Sequence, residues 1–322
     1  MSVSAVLVGM LVLSSALAPL AADAEQGPPT ARIGVLGNRP NPWTDALRQQ
    51  LRELGWVEGR NLVVEYRWAE GKFERLPELA ADLVRLKVDL VVAQSSMYVE
   101  AARKVTSTTP IVFSIHADPI GSGHVASLAH PGGMITGVAQ LQTELLAKGL
   151  QLLKEAVPTA RRVAVLWNPD TPSHVPGLRA VEATEASLGL TLVKVAARNA
   201  PEFEGAFATM TGARASAVLV LTSPGFDGRR LADLALKHRL PSMFGFKEAV
   251  EAGGLLSYGA NYTDAFRRAA TYIDRILKGA RPADLPVEQV TTFELAVNLK
   301  TGKTLGLTLP QSLLLRATDL IQ

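Results

Sequence analysis

RIGVLGNRPNPWTDALRQQLREL, residues 32–54, carries the pattern from which the fold follows. RIGVL (32–36) is a short strand-like run with no polar alternation. Behind it Trp43, Ala46, Leu47, Leu51 and Leu54 recur at helical spacing on one face. A strand apolar on both sides, followed by an amphipathic helix, is the unit of a parallel sheet covered on both faces.

The unit repeats along the chain. LVVEY (62–66) is followed by a helix that buries Leu76, Leu79, Ala80, Leu83 and Val84, and then come DLVVA (89–93), PIVFSI (110–115) and ITGV (135–138). After a helix around 143–156 the series restarts with VAVLW (163–167), LTLVKV (190–195), AVLVLT (217–222), SMFGF (242–246) and LLSYG (255–259). A long helix near 262–278 follows, and the tail adds one more strand and short helices. Ten strands are too many for one small sheet, and the series breaks near 138–145. The expectation is an α/β fold of two doubly wound, Rossmann-like lobes joined by a hinge; irregular spacing and surplus strands argue against a (βα)8 barrel. The expected first lobe is 31–138 plus 255–284, the second 139–250 plus 287–300, with a C-terminal helical tail over 301–322.

Composition narrows the function. The chain has 322 residues, 48% of them hydrophobic, formal charge +3 and no cysteine. Charges of both signs are interspersed, so the pI near 9.1 reflects no basic stripe, and nucleic acid is not an expected partner. MSVSAVLVGMLVLSSALAPLAADA (1–24) is apolar or small and ends in the small-x-small Ala22-Asp23-Ala24, the pattern of a signal peptide, although no Lys or Arg follows Met1. No other stretch is long and apolar enough to span a bilayer. An exported, periplasmic protein with no stable membrane insertion after cleavage is expected, and without cysteine it carries neither disulfide nor lipid there.

In open parallel sheets ligands collect beyond the carboxyl ends of the strands, so the loops at those ends are the candidate site. In the first lobe Asn38 lies in loop 37–43, and Trp43 begins the helix after it. QSSMY (94–98) places Ser95, Ser96 and Met97 at a helix start, where serine caps and free N–H groups suit a carboxylate. NPDTPS (168–173) repeats the device in the second lobe through Asn168, Thr171 and Ser173. TSPGFD (222–227) and FGFKEA (244–249) add Ser223, Phe226 and Phe246, and Tyr258 and Tyr262 of SYGANYTD lie near the expected first-lobe strand end. Each of these residues alone is ordinary capping or packing; their common position at strand ends makes them a candidate ligand ring.

HADPIGSGHVASLAHPGG (116–133) holds three of the five histidines. His116 and Asp118 end a strand, and Ser122 is placed to cap a helix that Pro131 ends. The histidines lack metal-ligand spacing, and GSG lacks the following residues of a phosphate loop, so no metal and no cofactor are expected. There is no GxSxG, HExxH or cysteine nucleophile, which argues against an enzyme. The enzymatic alternative is an α/β hydrolase or isomerase with His116 and Asp118 as acid and base.

Together LRELGWVEGRNLVVEYRWAEG (51–71), DPIGSGHVASLAHPGGMITGV (118–138), VEAGGLLSYGANYTDAFRRAATYIDRILKGARPADLPVEQ (250–289) and FELAVNLKTGKTLGLTLP (293–310) resemble the ABC-transporter substrate-binding family that includes tryptophan- and tyrosine-type binders. The resemblance implies a type I periplasmic binding fold, with crossings near 138–142, 247–254 and 284–292. It implies carboxylate-binding roles for Ser95 and Ser96, with Asn168 and Thr171 as their second-lobe counterparts. QSSM stands where many relatives carry a small Gly-Thr segment, and His116 where many have a small residue. The function implied is capture of a small organic ligand by hinge closure and its delivery to an inner-membrane ABC permease with a cytoplasmic ATPase; the helix N-termini and aromatic loops suit a carboxylate-bearing ligand, aromatic or not. A ligand-sensing subunit for a membrane receptor is the alternative that shares this fold.

Overall fold

The computed structural model describes residues 30–140 and 142–322; the expected signal peptide, residues 1–24, lies outside them. The chain begins β1 (Ala31–Gly37), α1 (Pro42–Glu53), β2 (Leu62–Trp68), α2 (Leu76–Arg85), β3 (Leu90–Ala93), α3 (Ser96–Arg103), β4 (Ile111–His116) and β5 (Ile135–Ala139). It crosses through α4 (Gln142–Ala156) to β6 (Arg162–Trp167), α5 (His174–Glu182), α6 (Glu185–Leu188), β7 (Thr191–Ala196), α7 (Ala200–Gly212) and β8 (Ala217–Val220). Then come α8 (Gly228–Lys237), β9 (Ser242–Phe244), α9 (Lys247–Glu251), β10 (Leu256–Ala260), α10 (Tyr262–Leu277) and β11 (Glu288–Gln289). The chain ends with β12 (Phe293–Asn298), α11 (Leu299–Thr304), α12 (Gln311–Leu314) and β13 (Asp319–Ile321).

Two sheets result. The first has the order β11-β5-β4-β3-β1-β2 and is parallel throughout; the second has the order β13-β12-β10-β9-β8-β6-β7, with β10 and β12 its one antiparallel pair. β1 shows why the strands do not alternate. Ile33 and Val35 face α1 and α10, packing with Leu47, Leu51, Phe266 and Ile273. Leu36 faces the other way and packs with Leu79, Leu83 and Phe113. A fully buried leucine or isoleucine contributes about 1.5–3 kcal/mol, so both faces of a central strand such as β1 are selected to be apolar. Gly34 gives α2 its close seat, since a Cβ there would lie 2.9 Å from Leu83.

The second lobe repeats this plan. Val163 and Val165 meet Leu150 and Leu153 of α4 on one side. Ala164 and Leu166 meet Phe203 and Phe207 of α7 on the other. Among the described residues, no helix is long and apolar enough to cross a membrane.

Four expectations are corrected. Leu256–Ala260 was expected in the first lobe but lies in the second sheet, parallel to β9 and antiparallel to β12. That position needs a glycine, because a Cβ at Gly259 would lie 1.8 Å from the Gly245 carbonyl oxygen. The chain returns to the first lobe only through α10, whose Phe266 and Ile273 pack under β1. Conversely, Glu288–Gln289 pairs with β5 in the first sheet, so this part of the expected second-lobe segment belongs with the first. The tail is not purely helical, since β13 extends the second sheet beside β12. Finally, residues 117–134 are turns with no helix, held by glycines at positive φ (Gly123 at 67°, Gly132 at 78°) and by the N–H of His124 on the Pro119 carbonyl.

α10 enters through an N-cap: Asn261 accepts from the Asp264 N–H at 2.8 Å, while its amide donates to Glu294 at 2.6 Å. Asn261→Ala removes the cap and the bond that ties the start of α10 to β12. The expected loss is about 1–2 kcal/mol of stability, read as a lowered melting temperature without change of secondary structure.

Candidate functional site

The loops at the carboxyl ends of both sheets face one another across a cavity of about 340 Å³. The first lobe contributes residues Asn38–Trp43 from the β1–α1 turn, Gln94–Tyr98 from the β3–α3 turn, and Ile115 and Ala117 from the end of β4. The second contributes Thr171, Pro172 and Ser173, then Thr222–Pro224 and Phe226–Gly228, and Phe246. Gln140 and Gln142 of the first crossing, with Tyr262 and Phe266 of α10, complete the wall.

One end of the cavity is a helix start. Ser95 is the extended N-cap of α3, yet its side chain makes no capping bond. The Tyr98 N–H turns back to the Ser95 carbonyl, while the N–H groups of the first turn before it have no helical acceptor by geometry. Opposite, Ser173 precedes α5 and likewise makes no side-chain cap. Two helix N-termini thus face the cavity with hydroxyls uncommitted to capping, an arrangement suited to anionic groups.

The other end is aromatic. Trp43 meets Tyr262 at 4.8 Å between ring centroids, Phe266 at 6.0 Å and Phe246 at 6.3 Å. Burial pushes the Tyr262 phenol up to about 12, so it is a neutral hydrogen-bonding group here. Arg39 is exposed at the cavity rim, and Asp227 is occupied in capping α8 through the Arg230 N–H.

Two side chains join the lobes. Asn38 accepts from the Gly71 N–H at 2.7 Å, which orients its amide to donate to the Pro224 carbonyl at 2.7 Å. Trp43 Nε1 donates to Glu248 Oε1, also at 2.7 Å. Gly225 lies against Phe73 of the first lobe, where a Cβ would approach to 3.0 Å. The lobes are closed on each other.

A family model for ABC transporter substrate binding proteins matches residues 42–321. The chain belongs to that family. It is 23% identical over 259 residues to the tyrosine-binding protein of Clostridioides difficile (strain R20291), covering 80% of this chain and 74% of that one. Its fold is that of a conserved domain protein from Vibrio cholerae, with TM-score 0.84, 26% identity, and 90% of this chain and 99% of that one covered. A Streptococcus pneumoniae ABC domain solved with L-Trp gives TM-score 0.82 at 24% identity, over 91% and 100% of the two chains. The fold is the type I periplasmic binding fold, and the family role is solute binding.

In this substrate-binding protein ten residues singled out from sequence line the cavity: Asn38, Trp43, Ser95, Ser96, Met97, Thr171, Ser173, Ser223, Phe226 and Phe246. Four do not. Asn168 is buried behind the second jaw, where its amide donates to Ser223 and to the Arg198 carbonyl, each at 3.2 Å, and its Oδ1 accepts from the Asp170 N–H. Ser223 in turn meets Thr171 at 2.9 Å, so Asn168 holds two wall residues in place. His116 lies behind Ser96 in the same way, at 3.2 Å. Asp118 turns to the Gly121 N–H at 2.7 Å, and Tyr258 packs on Phe293 along β10.

Tyr262, the second tyrosine of SYGANYTD, also lines the wall; the wall residues missed from sequence include Gln94, Gln140 and Phe266. Gln94 directly precedes Ser95, but its amide is tied to Thr44 at 2.8 Å, a partner 50 residues away. Buried His174 braces the second jaw, its Nδ1 accepting from the Asn168 N–H at 2.8 Å and its Nε2 donating to the Thr222 carbonyl at 2.9 Å. Burial lowers it to about 4 and keeps it neutral. Among the described residues no cluster of His, Asp and Glu is arranged to hold a metal ion.

Proposed function

We propose that this chain is the exported solute-binding component of an ABC importer and that its ligand is a small carboxylate with an aromatic or large apolar body, of the amino-acid or aromatic-acid class. The observation that carries this reading is the polarity of the cavity. Uncapped helix starts and hydroxyls at Ser95, Ser96 and Ser173 suit a carboxylate, and Trp43, Phe246, Tyr262 and Phe266 suit a ring. The relatives agree in kind: one is named for tyrosine, one was solved with L-Trp, and a more distant one from R. palustris (TM-score 0.54) with benzoate.

The mechanism is binding without chemistry. A ligand that touches both jaws favours the closed arrangement, and closure is what an inner-membrane permease with its ATPase reads from the periplasmic side. The test is a thermal-shift screen of residues 25–322 against amino acids, aromatic acids, sugars and nucleosides. A ligand at a hundred times its dissociation constant adds about 2.7 kcal/mol of stability. The expected result is a shift confined to the carboxylates, with the ligand recovered unchanged. A shift confined to sugars or nucleosides, or conversion of the compound, refutes the reading.

A further inference from the structure

Behind Ser96 runs a chain of hydrogen bonds that leads from the cavity to the surface. Ser96 Oγ lies 3.2 Å from His116 Nδ1, His116 Nε2 lies 2.7 Å from His124 Nδ1, and His124 Nε2 lies 3.0 Å from Glu100 Oε2. Both rings are buried, His116 completely. Glu100 is at the surface end, paired with Arg103 and Lys104 on α3.

One backbone donor decides where the protons sit. The Asp118 N–H points at His116 Nδ1 from 3.1 Å. A peptide nitrogen only donates, so Nδ1 is bare and the ring carries its hydrogen on Nε2, facing His124. His124 Nδ1 therefore accepts, its hydrogen is on Nε2, and that hydrogen meets the Glu100 carboxylate. The Ala117 N–H occupies one lone pair of Ser96 Oγ at 3.3 Å. The single Ser96 hydrogen is left to divide between an already engaged Nδ1 and the cavity.

A proton added to the pair reverses the chain. Two N–H groups cannot face each other across 2.7 Å, so a proton on His124 Nδ1 requires His116 Nε2 to be bare and His116 Nδ1 to hold the hydrogen. That Nδ1–H then donates to Ser96 Oγ, and the Ser96 hydrogen can point only into the cavity. The Asp118 N–H, 3.1 Å from Nδ1, would then face another N–H, so that peptide must turn away; the gain is a positive charge behind a hydroxyl turned outward, which is what an anion requires. The charges bearing on the pair come from α3, namely Glu100 and Arg103. The Asp118 carboxylate is turned away to the Gly121 N–H. Burial, followed by the neighbouring His124, lowers His116 to about 3, and burial outweighs Glu100 to lower His124 as well, so the pair is neutral near pH 7 before an anion arrives.

We propose that a ligand carboxylate docking on Ser96 draws one proton into the His116–His124 pair, so that His116 is a positioning residue for Ser96 and binding is proton-linked. The inference rests on the carboxylate reading of the cavity. Its sign follows from linkage. The ligand raises the pair's ionisation, so the added affinity is present at low pH and is lost as pH rises through the raised value. The window lies below the ordinary histidine value of 6.5 and above the unliganded His116 value near 3.

The experiment is calorimetry with L-tryptophan and with benzoate between pH 4.5 and 7.5, each in buffers of contrasting ionisation enthalpy. Binding about three- to tenfold tighter at pH 5 than at pH 7, with proton uptake, is expected. Both effects should vanish in His116→Asn, whose side chain still accepts the Asp118 N–H but does not titrate. They should vanish equally in His124→Gln, which covers the case in which the first variant does not fold. A flat pH profile, or a slope that survives these substitutions, overturns the proposal. Nitrogen-15 NMR of the unliganded protein should place hydrogen on Nε2 of both rings at neutral pH, and an Nδ1–H on either contradicts the chain. If neither probe binds, the functional reading fails for these acids, and the ring tautomers still decide the relay.

Discussion

Trp43→Ala should weaken ligand binding by about a hundredfold, chiefly through faster dissociation. The indole has two roles. Its faces and edges contact Tyr262 and Phe266 in its own lobe and Phe246 in the other, and its N–H crosses the cleft to Glu248. A hydrogen bond to a charged group is worth about 1.5–3 kcal/mol and an aromatic pair about 0.5–1.5 kcal/mol. A loss of about 3 kcal/mol on the closed side is the expected sum, and about 1.4 kcal/mol is tenfold in affinity. Trp43→Phe keeps a ring but not the donor and should fall between alanine and wild type, at about tenfold. Glu248→Gln keeps an acceptor oxygen and should be milder than Glu248→Ala. Stopped-flow fluorescence separates the rates: closure contacts act on dissociation, so an effect confined to association would remove Trp43 and Glu248 from this role.

Ser95→Ala combined with Ser96→Ala should cost a carboxylate ligand about 3 kcal/mol, again roughly a hundredfold, because two charge-assisted bonds are lost together. The helix start itself remains, so binding weakens without vanishing. Ser95→Ala alone should leave melting temperature unchanged, since that hydroxyl caps nothing. Ser96→Ala also removes the acceptor of the Ala117 N–H, and a small loss of stability should accompany it. Titration calorimetry of the double variant checks the claim: unchanged affinity for a carboxylate that binds wild type would place the anion elsewhere, with the Ser173 jaw as the next position.

The two-lobed plan was legible because β1 and its counterparts are buried on both faces, and only parallel sheets between helices require that. The strand-end rule likewise pointed to Ser95, Thr171 and Phe246 without any knowledge of which loops meet. What was not legible depends on long-range pairing. The run at Leu256–Ala260 reads the same in either sheet; only the contact of Gly259 with Gly245 and the antiparallel partner β12 assign it to the second. Asn168 and His116 have the residue types and positions of ligand-binding groups, but their polar atoms are taken by Ser223, Arg198 and His124. Asn38 and Trp43 do line the cavity, yet their donors reach across it to Pro224 and Glu248, partners about 200 residues away that no local pattern reveals. The segment after Ser122 has a cap and a Pro131-Gly132-Gly133 end signal that read as a short helix, but Gly123 and Gly132 at positive φ keep it in turns.

A cleft that binds a small carboxylate with an aromatic or large apolar body must distinguish such an acid from its neutral counterpart. Equilibrium titration of the purified protein with L-tryptophan, L-tyrosine, L-phenylalanine and benzoate, each beside its amide or alcohol counterpart, measures that distinction. At least one of these acids should bind saturably and one-to-one, about a hundredfold weaker or more when its carboxylate is replaced by a neutral group. Equal affinity for an acid and its neutral counterpart would contradict it, as would saturable binding of a sugar or nucleoside with none of the acids.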